Sequence, residues 1–319
     1  MSLWLVGAGK MAQDYAKVLQ GLGQDFEVIG RNEASAKIFE SVTGHHVRQG
    51  GVRSALAASQ SPDRVIIAVG VEQLAGVATE LIESGASRIL LEKPGGLGTA
   101  EIRTLKQKAA KHGAAVMVAY NRRFYASTAL ARELITEDGG AVSCTFEFTE
   151  WQHVIASLVS GAGVKNAWFL ANSTHVVDHA FHLCGFPKHW KAWHGGSMKW
   201  HPAAARFCGS GITDQGVFFS YHADWEAPGR WGVEVLTRKR RFIFRPMEQL
   251  QVVQLGSVKV ENVGIDDQAD KAFKPGLYAQ TKAFLNKDDR WLCAIDEQLR
   301  HCAVYDEMAG YEKTVTDQN

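Results

Sequence analysis

The strongest constraint lies at the start of the chain, where the apolar run Leu3-Trp4-Leu5-Val6 passes directly into Gly7-Ala8-Gly9-Lys10-Met11-Ala12. In this G-x-G-x-x-A pattern the first glycine permits a tight turn and the second lets the backbone approach a pyrophosphate. The small alanine allows the following helix to pack closely on the strand. The theme repeats downstream: apolar runs at Phe26–Ile29, Val65–Val69, Arg88–Leu91 and Ala115–Ala119 alternate with helical stretches at Met11–Leu22, Ala34–Ser41, Leu74–Ser84 and Thr99–His112. Strands that are continuously apolar are those covered by helices on both faces. Residues 1–121 therefore read as an α/β Rossmann domain, a doubly wound parallel sheet that binds a dinucleotide through Gly7, Gly9, Lys10 and Met11.

After Asn121 the texture changes. Ala141–Thr149, Val217–Trp225, Trp231–Thr237 and Phe242–Arg245 are rich in β-branched and aromatic residues, and turns such as Asp138-Gly139-Gly140 and Pro228-Gly229 lie between them. Helical patterns return at Leu277–Leu285 and Ile295–Met308. Residues 122–319 read as an α+β domain with an open, mostly antiparallel sheet that binds substrate. Phe218, Tyr221, Phe242 and Phe244 are expected on its outer face, where they would hold together a homodimer or homotetramer.

Charge excludes some partners. The chain carries 35 Lys and Arg against 34 Asp and Glu, so no net field draws it to nucleic acid or to an anionic membrane. Its apolar runs fall short of the roughly 18 residues of a membrane helix. The five cysteines are widely spaced and form no C-x-x-C pair, which fits neither a disulfide framework nor a zinc site and points to the cytoplasm.

The end of the second predicted strand bears on the choice of dinucleotide. An acidic side chain there commonly binds the adenosine ribose of NAD, but Phe26-Glu27-Val28-Ile29 ends in Gly30-Arg31-Asn32, and Glu27 lies too early in the strand to serve. Arg31, helped by Asn32 or Ser35, is suited to pair with the 2′-phosphate of NADP; the alternative is an exposed loop arginine. The expected cofactor is NADP, with NAD the other candidate.

The fifth predicted strand runs into Leu91-Glu92-Lys93-Pro94-Gly95-Gly96, followed by Tyr120-Asn121-Arg122-Arg123-Phe124 and His175-Val176-Val177-Asp178. At these residues the chain resembles the glucose–fructose oxidoreductase, inositol dehydrogenase and rhizopine-catabolism (Gfo/Idh/MocA) family, whose signature is the Glu-Lys-Pro triplet. The resemblance implies that Glu92 and Lys93 border the cofactor, that Lys93 reaches the substrate oxygen, and that His175 donates or accepts the proton. It also implies a cis bond before Pro94 and an interdomain cleft in which desolvation brings the pKa values of both catalytic groups toward neutrality. Tyr120, Arg122, Trp151 and Asn172 are the candidate substrate contacts. Trp151 and Trp168 are suited to stack on a sugar ring or to pack in the core.

One position departs from the family pattern. Ala171 stands where an aspartate commonly precedes the catalytic histidine by four residues, and Asn172 is left either to replace it toward substrate or to cap the helix. Asp178 is assigned to orienting structure. His175, His179 and His182 share a helical face, but no carboxylate cluster accompanies them and no metal is expected. The resemblance implies an oxidoreductase acting on a secondary alcohol or ketone of a sugar, sugar derivative or cyclic polyol. Two alternatives stay open: a cofactor-binding regulator without turnover, and an enzyme using nicotinamide transiently for epimerisation or glycoside cleavage.

Overall fold

Six short parallel strands, β1 (Leu3–Val6), β2 (Glu27–Ile29), β3 (Val47–Arg48), β4 (Arg64–Ile67), β5 (Arg88–Glu92) and β6 (Ala115–Ala119), lie in the order β3-β2-β1-β4-β5-β6, and the strand Cys293–Ala294 closes the β6 edge antiparallel. β1 is buried along its whole length, as are the apolar residues of β4 and β5, because helices cover the sheet on both faces. The order reverses between β1 and β4, the place in a doubly wound sheet where ligands bind beyond the strands' carboxyl ends.

The computed structural model describes residues 2–311. They divide into two compact units: the residues up to Asn121 with Ala269–Arg300, and Arg122–Gln268 with the residues from His301 onward. The expected division assigns 269–300 to the second domain, whereas this segment packs with the first. There Cys293–Ala294 pairs with β6, Arg88 donates to the Phe284 carbonyl at 3.0 Å, and the Phe273 ring lies over Gly21, where a Cβ would come within 2.7 Å of it. Helical texture alone does not say which sheet a late segment will cover.

In the second unit β7 (Ser143–Phe148), β8 (Pro187–Gly195), β9 (Arg206–Thr213), β10 (Phe218–Asp224), β11 (Trp231–Leu236), β12 (Arg240–Phe244), β13 (Gln251–Gln254) and β14 (Glu261–Asn262) form a sheet in the order β14-β13-β12-β11-β7-β10-β9-β8. Only the β7–β10 pair is parallel among these strands. Burial alternates along β7 and β10, so one face is covered and the other open. The helix Thr174–Cys184, buried for most of its length, packs on the covered face with its Phe181 against Phe146 and its His179 against Phe244.

That alternation corrects the expected outer face. Tyr221 stacks on Phe146 at 5.4 Å, and Phe242 and Phe244 are fully buried. Of the four aromatics only Phe218 is exposed, at 62%. Phe218 and Tyr221 are three residues apart, and in a strand an odd separation puts side chains on opposite faces. The open face instead carries the Thr145–Ser220 contact and the ion pairs Arg245–Glu147 and Arg241–Glu234. Among the described residues no helix is long and apolar enough to cross a membrane.

Candidate functional site

At the end of β1 the backbone amide of Gly7 donates to the Ile29 carbonyl at 2.9 Å, with φ at +125°. A Cβ on Gly7 would lie 2.2 Å from the Ala68 carbonyl oxygen, so both conformation and space demand glycine. Gly9 precedes the helix Lys10–Gly21, and a Cβ built there meets nothing within 4 Å. That open space faces the amide-rich end of the helix, while Ala12 is fully buried against the sheet. Beyond these turns lies a cavity of about 740 Å³ lined by Gly7, Gly9, Lys10, Met11, Arg31, Asn32, Ser35, Gly70 and Arg53, among others. A glycine cradle of this shape, with a cavity at the topological switch point, fits a dinucleotide.

Arg31 is exposed and borders this cavity. Asn32 has a local task as well: its Oδ1 accepts from the Ser35 amide at 3.0 Å, capping the helix Glu33–Thr43, and from the Ser35 hydroxyl at 2.9 Å. Glu27 sits at the exposed start of β2, 3.7 Å from Arg48. Met11 accepts at its sulfur from Lys274 at 3.2 Å, and the same ammonium lies 3.6 Å from Asp14.

β5 delivers Glu92 and Lys93 to the same end of the sheet. The Lys93–Pro94 bond is cis, as the resemblance implies, and the Pro94 carbonyl accepts from the buried Gln298 at 2.9 Å. Tyr15 donates to Glu92 at 2.7 Å, and burial raises the Glu92 carboxyl above its ordinary value against the opposing pull of Tyr15, Lys93 and Lys274. Lys93 is half-buried. Tyr120, at the end of β6, is buried in the first unit, so its ring packs in the core there.

The other candidates lie in the second unit. His175 is the second residue of the helix Thr174–Cys184, is 9% exposed, and has its ring centroid 6.1 Å from that of Trp231. Asp178, one turn on, is fully buried and gripped by Arg123 through Nε at 2.9 Å and Nη2 at 2.6 Å. Burial alone would raise this carboxyl; Arg123, helped by His301, outweighs it and holds the carboxyl well below the usual carboxylate range. Asn172 lies in a π-helical turn, Phe169–Ser173, and donates to both carboxylate oxygens of Glu150, at 2.9 and 3.1 Å. The helix that follows has no side-chain cap, so the capping alternative for Asn172 is not the one adopted. Ser173 also donates to Glu150, at 2.8 Å.

Trp151 donates to the Gly229 carbonyl at 3.0 Å and lines a cavity of about 460 Å³ with Glu150, Gln152, His153, Trp225 and Glu226. Trp168 meets Trp200 edge-on at 6.1 Å. Arg122 is half-buried, its guanidinium 4.9 Å from the Trp231 ring and 5.7 Å from that of Tyr125. The remaining histidines of the helix face protein partners. His179 meets the Thr128 hydroxyl at 2.9 Å and His182 meets Arg132 at 3.0 Å. Burial pushes the His179 imidazole down to about 3 and that of His182 well below its usual value, so both are neutral at pH 7.

Residues 1–120 match the Gfo/Idh/MocA oxidoreductase family, NAD-binding Rossmann fold. The whole chain shares its two-domain fold with solved structures at low identity. UDP-N-acetylglucosamine 3-dehydrogenase GnnA from Acidithiobacillus ferrooxidans is 16% identical at a TM-score of 0.76, with 98% of this chain and 97% of that chain covered. A levoglucosan dehydrogenase in complex with NADH and levoglucosan is 16% identical at a TM-score of 0.78, with coverage of 98% and 96%. An oxidoreductase from Agrobacterium radiobacter in complex with NAD+, L-tartaric acid and magnesium is 12% identical at 0.75, with coverage of 98% and 96%. No curated protein matches the chain in sequence.

Within residues 1–120 the motifs point to Gly7, Gly9, Lys10, Met11, Arg31 and Asn32 beside one cavity but not to Arg53 and Glu80, which also line it and pair with each other at 2.7 Å. They come from two helices with no motif of their own. Lys274 was missed for a different reason: its segment returns to the first unit from far along the sequence. In the second unit Glu150, Arg230 and Trp231 were likewise missed, and only strand pairing brings them near Asn172, Trp151 and His175.

Proposed function

We propose that the chain is a nicotinamide-dependent dehydrogenase, NADP-preferring, that moves hydride between the cofactor and a secondary alcohol or ketone of a sugar, sugar derivative or cyclic polyol. The observation that carries this reading is the Glu92-Lys93-Pro94 turn at the carboxyl end of β5 in a unit that also holds the glycine cradle. The substrate class is supported by the neighbours of like fold, which include dehydrogenases of a nucleotide sugar and of levoglucosan. NADP preference is supported by Arg31 beside the cavity and by β2 ending without a carboxylate.

Gly7, Gly9 and the start of the helix Lys10–Gly21 would hold the pyrophosphate, and Arg31 the 2′-phosphate. When bound, the nicotinamide supplies a hydride acceptor or donor. Lys93 donates to the substrate oxygen and stabilises its charge as the hydroxyl proton leaves. His175 takes that proton in one direction and returns it in the other. Asp178, held in its ionised form by Arg123, takes no proton at neutral pH and positions the helix that carries His175. In this reading the protein is cytoplasmic, in keeping with five free cysteines. It forms a homodimer or homotetramer through the open sheet face, where Phe218 and Trp193 are exposed. A cofactor-reduction screen across sugars, sugar nucleotides and inositols tests the activity; reduction by none of them would contradict it.

A further inference from the structure

Arg122, Arg230 and Trp231 form a cluster of hydrogen-bond donors beside His175. The Arg122 guanidinium lies 4.9 Å from the Trp231 ring, that of Arg230 lies 5.8 Å from the same ring and 4.7 Å from Trp151, and the His175 ring is 6.1 Å from Trp231. The donors outnumber their acceptors. Arg122 Nε and Trp231 Nε1 are both buried without a hydrogen-bond partner among the described residues, and the Arg122 guanidinium makes no ion pair there. The two carboxylates whose charge acts on Arg122 have other partners: Glu150 accepts from Asn172 and Ser173, and Glu248 accepts from Tyr125 at 3.5 Å. Burial depresses the Arg122 pKa, with Tyr125, Glu248 and Glu150 working against that and Arg230 adding to it, so the cation is held at a cost. A half-buried guanidinium whose Nε is closed off without an acceptor, beside an indole N–H in the same condition, asks for an oxyanion.

Resting on the dehydrogenase reading above, we infer that the substrate carries an anionic group, a carboxylate or a phosphate, that is received by Arg122 with Trp231 Nε1 and Arg230 beside the proton-transfer histidine. Both groups present two coplanar or near-coplanar oxygens to a planar fork, which an ammonium would not match. The substrate is thus a sugar acid or a sugar phosphate, and neutral sugars and inositols bind weakly. Arg230 is exposed and adds charge at the rim; the half-buried Arg122 supplies the inner contact.

The test is calorimetric titration of the NADP-loaded full-length protein with matched probes: D-glucuronate, D-galacturonate, D-gluconate and D-glucose 6-phosphate against D-glucose, D-galactose and D-glucitol. At least one anionic probe should bind about 10- to 100-fold tighter than its neutral counterpart, with the carboxylate and phosphate arms telling the two groups apart. Arg122→Met should erase that preference and Arg230→Ala reduce it several-fold; because Arg230 is exposed, its variant carries the test if Arg122→Met does not fold. Equal binding of neutral and anionic partners, a preference that survives both substitutions, or binding of no probe overturns the inference. Cofactor reduction by a neutral sugar without anionic preference would overturn it and leave the dehydrogenase reading standing. Tight anionic binding without hydride transfer would do the reverse.

Discussion

Arg123 and Asp178 meet in a bidentate pair, 2.9 Å from Nε to Oδ2 and 2.6 Å from Nη2 to Oδ1, with both side chains almost wholly excluded from solvent. The pair joins the chain just after β6 to the helix that presents His175, so it bears on stability and on the histidine's placement. Removing one partner leaves a buried charge unpaired, which typically costs about 3–5 kcal/mol. Arg123→Met should lower the urea midpoint by a corresponding amount; an unchanged midpoint would show that the pair is not formed.

Acid sensitivity has two sources in the same helix. The His179 pKa is depressed to about 3 in the folded state, so between there and its unfolded value the unfolded chain binds a proton that the native one does not. Its contribution is therefore complete above about pH 6.5 and falls with pH below that, at a limiting slope of about 1.4 kcal/mol per unit. Asp178 contributes in the same direction at lower pH, below the ordinary carboxylate value, because its folded pKa is also depressed. Urea melts from pH 7 to pH 4.5 should show declining stability, and His179→Asn should flatten that decline.

Gly7 and Gly9 separate folding from binding. Gly7→Ala places a Cβ against the Ala68 carbonyl at a φ of +125° and should destabilise the fold by about 1–3 kcal/mol or more. Gly9→Ala puts its methyl into open space, so the melting temperature without ligand should barely change while dinucleotide affinity drops. Thermal melts with and without NADP check both; a fully binding Gly9→Ala would mean that the pyrophosphate lies elsewhere.

Much of this arrangement is legible in the residues themselves. Continuous apolar strands and a glycine turn imply a doubly wound sheet, because few other folds bury a strand on both faces and leave a helix N-terminus open. Period-2 alternation likewise implies the second sheet. The short strands β3, β13 and β14, and the long exposed strand β8, lie outside those patterns, since little apolar periodicity marks them. Residues such as Glu150 and Trp231 acquire meaning only through pairings that bring Trp231 opposite Phe148, a register no local spacing encodes. The assignment of 269–300 depends in the same way on the long-range contact of Arg88 with Asp289.

Arg31 should govern the choice between dinucleotides. Losing an arginine–phosphate contact should weaken NADP binding by about 10- to 100-fold, so Arg31→Ala should lose NADP affinity by that factor while NAD affinity changes little. Equilibrium titration of both cofactors against wild type and variant checks this; equal wild-type affinities would contradict it.

The proposed division of the chemistry puts charge stabilisation on Lys93 and proton transfer on His175. It is tested most directly by following nicotinamide absorbance with a substrate found in the screen, for wild type, Lys93→Met and His175→Asn. Lys93→Met should abolish turnover with NADP affinity within a few-fold of wild type, and His175→Asn should lower kcat by about 10²–10⁴-fold. Turnover of both variants at the wild-type rate would contradict it.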